Sequence, residues 1–355
     1  MTVPNSIFSG AYREGHVQGI AVDTRRGFVY YSFTTMLLKT DLLGNPIGSV
    51  VRLAGHLGCI TYDAARDRLY ASLEMKHDAI GAGIIKRTGW DPTHEDAFYL
   101  ASFDCAAITR MEMDAECDGV MLAVYLGDVV KDYLDVDEVS GMPHRYGCSG
   151  IDGIGFGPVF GDAPDAPKKL MIAYGIYSDL LREDNDHQVI LQYDPSVVDR
   201  YGRDLHQDLP HHSGPQNCEA RYFFYTGNTV YGVQNLEYDA YSHNWFLAVY
   251  TGKKPQFAPF SMFFIDGSRK ATSQALLGRA GERGLLLTSA SIGQTGEQST
   301  VRGCYFPYGQ TGMMSLGDGS FYFSQNGGNR EDKSFWTTIC RYRYDPDQKD
   351  LFVAL

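Results

Sequence analysis

Two histidines and two carboxylates are the side chains of this sequence with the clearest capacity for chemistry. His16 and His56 each begin an alternating apolar stretch, and Asp152 and Glu237 lie within two later stretches of the same kind. A carboxyl group enclosed in a protein interior has a raised pKa and can act as a general acid or base. A carboxylate that faces histidines can instead bind a divalent cation. We therefore predict Asp152 and Glu237 as catalytic residues, and His16, His56 and Glu237 as metal ligands.

The elements that carry these residues are copies of one repeated unit. Residues 16–41, HVQGIAVDTRRGFVYYSFTTMLLKTD, contain three short runs with apolar alternation and turn residues between them, which indicates strands. Residues 56–74, HLGCITYDAARDRLYASLE, repeat the pattern, and more divergent copies begin near 149, 233 and 310. One further strand follows each copy and ends on an aspartate that can close a turn. These turn aspartates are Asp41, Asp104, Asp194, Asp266 and Asp345.

Repetition of strand units at this spacing predicts an array of blades. We predict an all-β fold, a five-bladed β-propeller with four-stranded antiparallel blades around a central channel, in a single domain over 1–355. LFVAL at the end and NSIFSGAY at the start are expected to complete the last blade, and 127–139 is the best helical candidate. The predicted blades cover 16–54, 55–126, 147–226, 230–291 and 308–355, with inner strands near 17–23, 58–63, 151–157, 233–239 and 311–317.

One mouth of the predicted channel collects most of the polar residues. Each inner strand starts at this mouth and the second strand returns to it. Long connections follow the second strands of blades 2 to 5 and also join successive blades at 126–149, 195–231 and 292–310. Long loops on a rigid scaffold favour ligand binding, whereas the short turns at the other mouth suggest no function there. Loops that only cap the repeats, and histidines that bond a neighbouring blade, are the alternatives. The predicted ligand-binding residues are His16, Gln18, His56, Glu74, His77, Arg145, Gln234, Asn235, Tyr308 and Gln310.

Composition excludes several classes of function. The net charge is −12, and no run of Lys or Arg exceeds two residues, so we expect no nucleic-acid partner. The sequence has no apolar run of membrane-spanning length and no basic-then-apolar leader, so we expect no membrane partner and a cytoplasmic location. The seven cysteines are widely spaced, which favours free thiols in a reducing compartment. Neither a nucleophile elbow nor a dinucleotide-binding glycine motif is present.

The strand units with their turn aspartates resemble the five-bladed β-propellers as a class over nearly the whole chain. That class includes sugar-cleaving enzymes with carboxylates at the channel mouth, calcium-dependent nucleotidases with a metal on the axis, and sugar-binding lectins. The fourth blade, with Trp245-Phe246 followed by Lys253-Lys254, is loosely similar to the corresponding nucleotidase blade. The nucleotidase pattern has an acidic residue where this chain has Val233 and Gln234. For the glycosidase pattern, this chain offers only Asp152 and Glu237 as candidate channel carboxylates, and two is the minimum for that chemistry.

The sequence leaves two hypotheses for function. The first is a hydrolase that acts on a glycan or another polar small molecule at the channel mouth. The second is a binding propeller without catalytic activity that uses the same mouth. The cofactor is open, and a divalent cation in the channel is the candidate: calcium if carboxylates dominate the site, and a transition metal if the histidines converge. The sequence does not indicate an oligomeric state.

Overall fold

Alternating apolar residues build five separate antiparallel sheets whose inner strands surround one axis. A computed structural model describes residues 3–53, 55–89, 95–137 and 141–355. Each inner strand contacts the next one around the ring, and the inner strand of the fifth sheet contacts that of the first. The protein is therefore a five-bladed β-propeller, as predicted. The inner strands are Val17–Asp23, His56–Asp63, Cys148–Gly157, Thr229–Asp239 and Met313–Ser315.

The blades differ in their outer strands. Blade 2 has the predicted four strands, while blades 1, 3 and 5 carry added strands and blade 4 has three. After its inner strand, blade 1 continues with Phe28–Phe33, Met36–Asp41, Pro46–Val51 and Met113–Asp114, and blade 2 with Arg68–Met75, Ala97–Asp104 and Met121–Tyr125. Blade 3 continues with Lys169–Ile176, His187–Tyr193, Ala220–Tyr225, Arg283–Leu286 and Thr272–Ala275. Blade 4 adds Asn244–Thr251 and Met262–Asp266, and blade 5 adds Ser320–Asn329, Ser334–Tyr344, Ser6–Phe8 and Phe352–Ala354. Gln294–Thr295 and Arg302–Gly303 form a separate small ladder.

The prediction of four strands in every blade is wrong for blade 4. The segments Thr272–Ala275 and Arg283–Leu286 fall inside the predicted fourth blade, but Arg283–Leu286 pairs in parallel with Ala220–Tyr225 of blade 3. The crossing chain buries Leu276 in the core between blades 2 and 3 and Leu287 in the core between blades 3 and 4. Burial of these two side chains gives a hydrophobic reason for the crossing.

Both chain ends pair with the same strand of blade 5, which closes the ring. Ser6–Phe8 pairs with residues 338–340 of Ser334–Tyr344, and Phe352–Ala354 pairs with residues 342–344. The two predicted terminal strands are therefore confirmed. The five turn aspartates also accept backbone hydrogen bonds as predicted, for example Asp41 from the N–H of Leu43 at 2.8 Å and Asp345 from that of Asp347 at 3.1 Å. Asp104, Asp194 and Asp266 accept in the same way.

Three α-helices interrupt the strands within the described residues, and two of them, Ala79–Thr88 and Val197–Tyr201, were not predicted. Ala79–Thr88 begins at Asp78, whose carboxylate accepts the N–H groups of Ile80 and Gly81, and it ends at Gly89 with φ 72°. An aspartate N-cap and a glycine after the last turn are sequence signals that could have located it. The helix predicted over 127–139 is Gly127–Leu134, and residues 138–139 of that prediction lie outside the described residues. Val197–Tyr201 and the 3₁₀ turn Arg145–Gly147 are short.

Along the axis, buried polar side chains tie the blades to one another. The Asn235 amide of blade 4 donates to the carbonyl oxygens of Gln18 at 2.9 Å and Gln310 at 3.1 Å, in blade 1 and just before blade 5. Its oxygen lies 3.3 Å from the Cys59 thiol of blade 2. The described residues contain no helix long and apolar enough to cross a membrane. All seven cysteines are free.

We predict that Asn235→Leu lowers the free energy of unfolding by about 2–4 kcal/mol, because two buried carbonyls lose their donor. Denaturant unfolding monitored by tryptophan fluorescence measures the change. Asn45→Leu is the matched control, since Asn45 is exposed in a surface turn and its substitution should cost less than about 1 kcal/mol. Equal costs for the two variants would contradict a special role for the axial amide.

Candidate functional site

The mouth at which the inner strands begin is called the upper mouth here, and the mouth at which they end is the lower mouth. At the upper mouth, neighbouring strands bring together His56, Glu74 and Asp152. His56 starts the inner strand of blade 2 and is the register partner of Glu74 on the second strand. Asp152 lies on the inner strand of blade 3. The His56 Nδ1 atom is 3.6 Å from Glu74 Oε2 and 3.9 Å from Asp152 Oδ1.

Glu74 is a buried carboxylate held from both sides. Its Oε1 accepts the N–H of Ile151 at 2.6 Å, and its Oε2 lies 2.9 Å from Lys76 Nζ. Lys76 also donates to the carbonyl oxygen of Ser149 at 2.7 Å. Burial opposes the charge on Lys76, but the carboxylates of Glu74, Asp152 and Asp78 outweigh it and raise the pKa of Lys76. This ion pair fixes Glu74 in one position.

Asp152 is the more open of the two carboxyl groups. Its side chain is 13% exposed, against 1% for Glu74. The Gln234 amide of blade 4 donates to Asp152 Oδ2 at 3.0 Å and also to the carbonyl oxygen of Tyr231 at 3.0 Å. Burial, and then the nearby charge of Glu74, raise the pKa of Asp152 to about 7. Gln234 therefore orients a carboxyl group that faces the channel.

The ring of His56 contains a polar atom whose bonding is incomplete. The His56 side chain is 10% exposed, and its Nδ1 has no hydrogen-bond partner among the described residues. The separations to the two carboxylates are too long for hydrogen bonds. One donor atom from each of His56, Glu74 and Asp152 lies within 4.8 Å of the others. With metal–ligand bonds of about 2.0–2.2 Å, such spacing suits three ligands around one cation.

His16 lies close enough to this cluster to respond to it. Although the His16 side chain is exposed to solvent, the chain packed around it, and then the nearby His56 and Arg87, lower its pKa to about 4, so its ring is neutral at physiological pH. Its Nε2 is 2.9 Å from the Gln18 amide nitrogen. In a neutral ring this nitrogen accepts a hydrogen bond from the Gln18 amide, so its lone pair is already used and does not bind a cation. His16 therefore borders the three-residue group without belonging to it.

The remaining predicted binding residues have different positions. His77 binds Asp96 through its backbone N–H and its ring, at 2.7 and 3.2 Å. Asn235 and Gln310 serve the axial hydrogen bonds described above. Tyr308 packs on the ring of Phe306, with centroids 5.6 Å apart. Arg145 pairs with Glu282 at 2.9 Å.

Two tyrosines and a lysine of the upper mouth were not among the predicted site residues. Tyr231 is 42% exposed, and its ring meets Tyr250 edge-on with centroids 6.3 Å apart. Burial, and then Asp152 and Tyr231, raise the pKa of Tyr250 to about 12. Lys76 stands two residues after Glu74 and directly follows the strand Arg68–Met75, so continued alternation places both side chains on one face. That spacing could have identified Lys76, but the Tyr231 position depends on a bulge in blade 4.

Glu237 lies at the lower mouth, and the structure does not bring it to Asp152, His16 or His56. On its strand it is three residues beyond Gln234, which corresponds to roughly 10 Å along the axis. Its Oε1 accepts the N–H of Ser315 at 3.0 Å. Burial raises the pKa of Glu237 to about 8, with a smaller contribution from Asp239. Neither the predicted catalytic pair nor the predicted three-residue metal set is assembled, because strand direction separates the two ends of the channel.

Comparisons with known proteins find distant similarity to solved structures. No protein-family model matches the sequence, and no curated protein matches it. Among solved structures, an exo-1,5-α-L-arabinanase from a bovine ruminal metagenomic library is similar at 10% identity and TM-score 0.42, covering 96% of this chain and 97% of that one. A GH43 β-1,3-galactosidase is similar at 13% identity and TM-score 0.40, covering 96% of this chain and 93% of that one. A calcium structure of a Trichoderma reesei carbohydrate-active enzyme of family AA12 is similar at 10% identity and TM-score 0.40, covering 90% of this chain and 80% of that one. Likeness at this level carries no argument about activity.

We predict that Gly150→Ala disrupts the upper cluster. Gly150 has φ 120°, and an added Cβ would lie 2.0 Å from Glu74 Oε1. The loss of unfolding free energy should be on the order of 3 kcal/mol or more, because backbone strain and the displaced carboxylate act together. Gly119→Ala is the control: it has φ 64° and nothing within 4 Å, so it should cost about 1–2 kcal/mol. Similar melting temperatures for both variants would contradict the close approach of Glu74.

We predict that Glu237→Gln reduces the loss of stability at alkaline pH. A raised pKa means that the folded protein holds this proton more tightly than the unfolded chain. The resulting stability is full below pH of about 4.5 and is lost as the pH rises through about 8. Between pH 5 and 9 the wild type should therefore lose on the order of 3 kcal/mol more than the variant. Melting temperatures across that range test this, and parallel curves would contradict it.

Proposed function

We propose that the protein is a hydrolase that acts on a glycan or another polar small molecule at the upper mouth, with a divalent cation bound by His56, Glu74 and Asp152. The observation that carries this proposal is the buried Nδ1 of His56, which has no hydrogen-bond partner among the described residues and faces two carboxylates at 3.6 and 3.9 Å. A buried polar atom without a partner is costly. A bound cation would satisfy it.

The ligand set favours a metal that accepts nitrogen and oxygen together. One imidazole with two carboxylates suits zinc or a similar transition metal better than calcium, which prefers oxygen ligands alone. Lys76 leaves a lone pair of Glu74 Oε2 available, and the Gln234 amide fixes the orientation of Asp152. Groups such as Lys76 and Gln234, which bind a ligand side chain rather than the metal, position metal ligands in many proteins. When bound, a divalent cation would activate water or polarise a substrate oxygen.

Residues around the cluster support a polar ligand with one flat apolar face. Tyr231 is the exposed ring beside Gln234, and its backbone accepts a hydrogen bond from the same amide that binds Asp152. A tyrosine offers an apolar face and a hydroxyl group, which matches the two faces of a sugar ring. Binding sites generally combine such rings with a few polar groups that fix orientation. This combination favours a glycan.

The metal part of the proposal predicts about one equivalent of a transition metal per chain. Protein stripped with a chelator and incubated with Zn²⁺, Mn²⁺ or Ca²⁺ would be desalted and analysed by elemental mass spectrometry. His56→Gln and Asp152→Asn should lose the metal, because each removes one ligand. His212→Gln should retain it, since His212 is an exposed histidine that pairs with Glu95. Equal metal content in wild type and His56→Gln would overturn the site.

Hydrolysis is tested separately with chromogenic glycosides and oligosaccharides, with metal or with chelator. The proposal expects cleavage that depends on metal and falls at least tenfold in His56→Gln, while His212→Gln stays active. Stoichiometric metal with no cleavage of any substrate would favour the alternative, a binding propeller without catalytic activity. In that case, glycans that raise the melting temperature of the metal-loaded protein would identify the ligand.

A further inference from the structure

The lower mouth contains a cavity that the proposed function does not use. Its volume is about 200 Å³, and all five inner strands or the turns that follow them contribute to it. The buried Asn235 amide lies between Gln234 and Glu237 on one strand and bonds to two other blades. It therefore separates this cavity from the upper mouth. Its lining includes Ile20, Ile60, Tyr62, Phe156, Lys168, Glu237, Tyr238 and Met314.

A carboxyl group and an ammonium group line this cavity without pairing to each other. Glu237 uses one carboxyl oxygen to accept the N–H of Ser315. Lys168 stands at the rim, with its ammonium 5.6 Å from the centre of the Phe156 ring. Among the described residues, no ion pair within 4.0 Å joins Lys168 to Glu237 or to any other acid. The positive charge of Lys168 lowers the pKa of Glu237, while burial raises it to about 8.

The rest of the lining is apolar or aromatic. Ile20, Ile60 and Met314 supply aliphatic surface from three blades, and Tyr62 and Tyr238 add rings. The cavity is smaller than the roughly 300–1,000 Å³ of sites for drug-sized ligands. A nucleotide or an oligosaccharide is therefore too large. A bare metal ion would find only one carboxylate, which is too few ligands.

We propose that the lower mouth binds a small zwitterion, an α-amino acid with an apolar side chain. The ligand ammonium would pair with Glu237, the ligand carboxylate with Lys168, and its side chain would pack against Ile20, Ile60 and Met314. Each of the two groups then gains a partner that the protein alone does not supply. Burial disfavours the ionised form of Glu237, and a ligand ammonium beside it would stabilise that form, because an opposite charge offsets the cost of a charge away from water. The surrounding rings also favour a cation beside Glu237.

The experiment is isothermal calorimetry of the full chain with each of the apolar L-amino acids, starting with L-leucine. Two analogues test the two charges: isoamylamine lacks the carboxylate, and 4-methylpentanoate lacks the ammonium. We expect at least one amino acid to bind, and both analogues of L-leucine to bind at least tenfold more weakly than L-leucine itself. Glu237→Gln and Lys168→Met should each weaken binding at least tenfold. Lys349→Met should leave it unchanged, because Lys349 is an exposed lysine that does not line this cavity.

Several results would overturn the proposal. These are no binding by any apolar amino acid, equal binding by isoamylamine, or undiminished binding by both Glu237→Gln and Lys168→Met. Circular dichroism establishes that the variants fold; Lys168 is exposed, so Lys168→Met tests the site even if Glu237→Gln does not fold. His56→Gln should keep amino-acid binding while it loses metal. Loss of both in His56→Gln would contradict the independence of the two mouths.

Discussion

The hydrogen bonds that cross the axis are the constraint on which both mouths depend. A propeller blade buries its faces against its neighbours by non-directional apolar contact, which leaves relative height and rotation loosely fixed. Directional bonds remove that freedom. The Asn235 amide reaches two other blades, and the hydroxyls of Ser32 and Ser72 donate to backbone oxygens of the following blade, at 2.6 and 2.7 Å. The carbonyl that Ser72 holds is that of Asp152, so the same network positions the site.

The chemistry of the upper mouth follows from close approach of backbone and side chains. Glycines make that approach possible at Gly150, where Glu74 comes near the chain, and at Gly175, where an added Cβ would lie 3.0 Å from Asp152 Oδ2. Each carboxylate is then fixed by a separate donor, Lys76 for Glu74 and Gln234 for Asp152. Because the side chains are already ordered, a ligand binds without a further loss of their conformational entropy. The two mouths differ because the strands present different residues at their two ends.

The five-bladed architecture could be predicted because short-range sequence patterns determine it. Alternating apolar residues, turn aspartates and a repeat of fixed spacing each act over a few neighbours, and they identified the inner strands of every blade. The two strands near the chain termini, Ser6–Phe8 and Phe352–Ala354, were also predictable because their segments are apolar. The crossing of Arg283–Leu286 to blade 3 was not, since it depends on which exposed sheet edge lies nearby. The helix Ala79–Thr88 had capping signals at Asp78 and Gly89.

The sequence by itself determined which residues could do chemistry and, through strand direction, that His16, His56 and Glu74 share one mouth. Only the tertiary structure decided which of them meet. Asp152 and Glu237 looked equivalent as carboxylates on inner strands, yet one stands near the start of its strand and the other near the end. The strand register shifts between Ile151 and Ile154, where Asp152 lies, and between Val233 and Asn235, where Gln234 lies. The two side chains that meet therefore both stand at irregular positions of their ladders. Bulges arise from contacts between strands that are distant in sequence, so local periodicity does not encode the distance between two side chains.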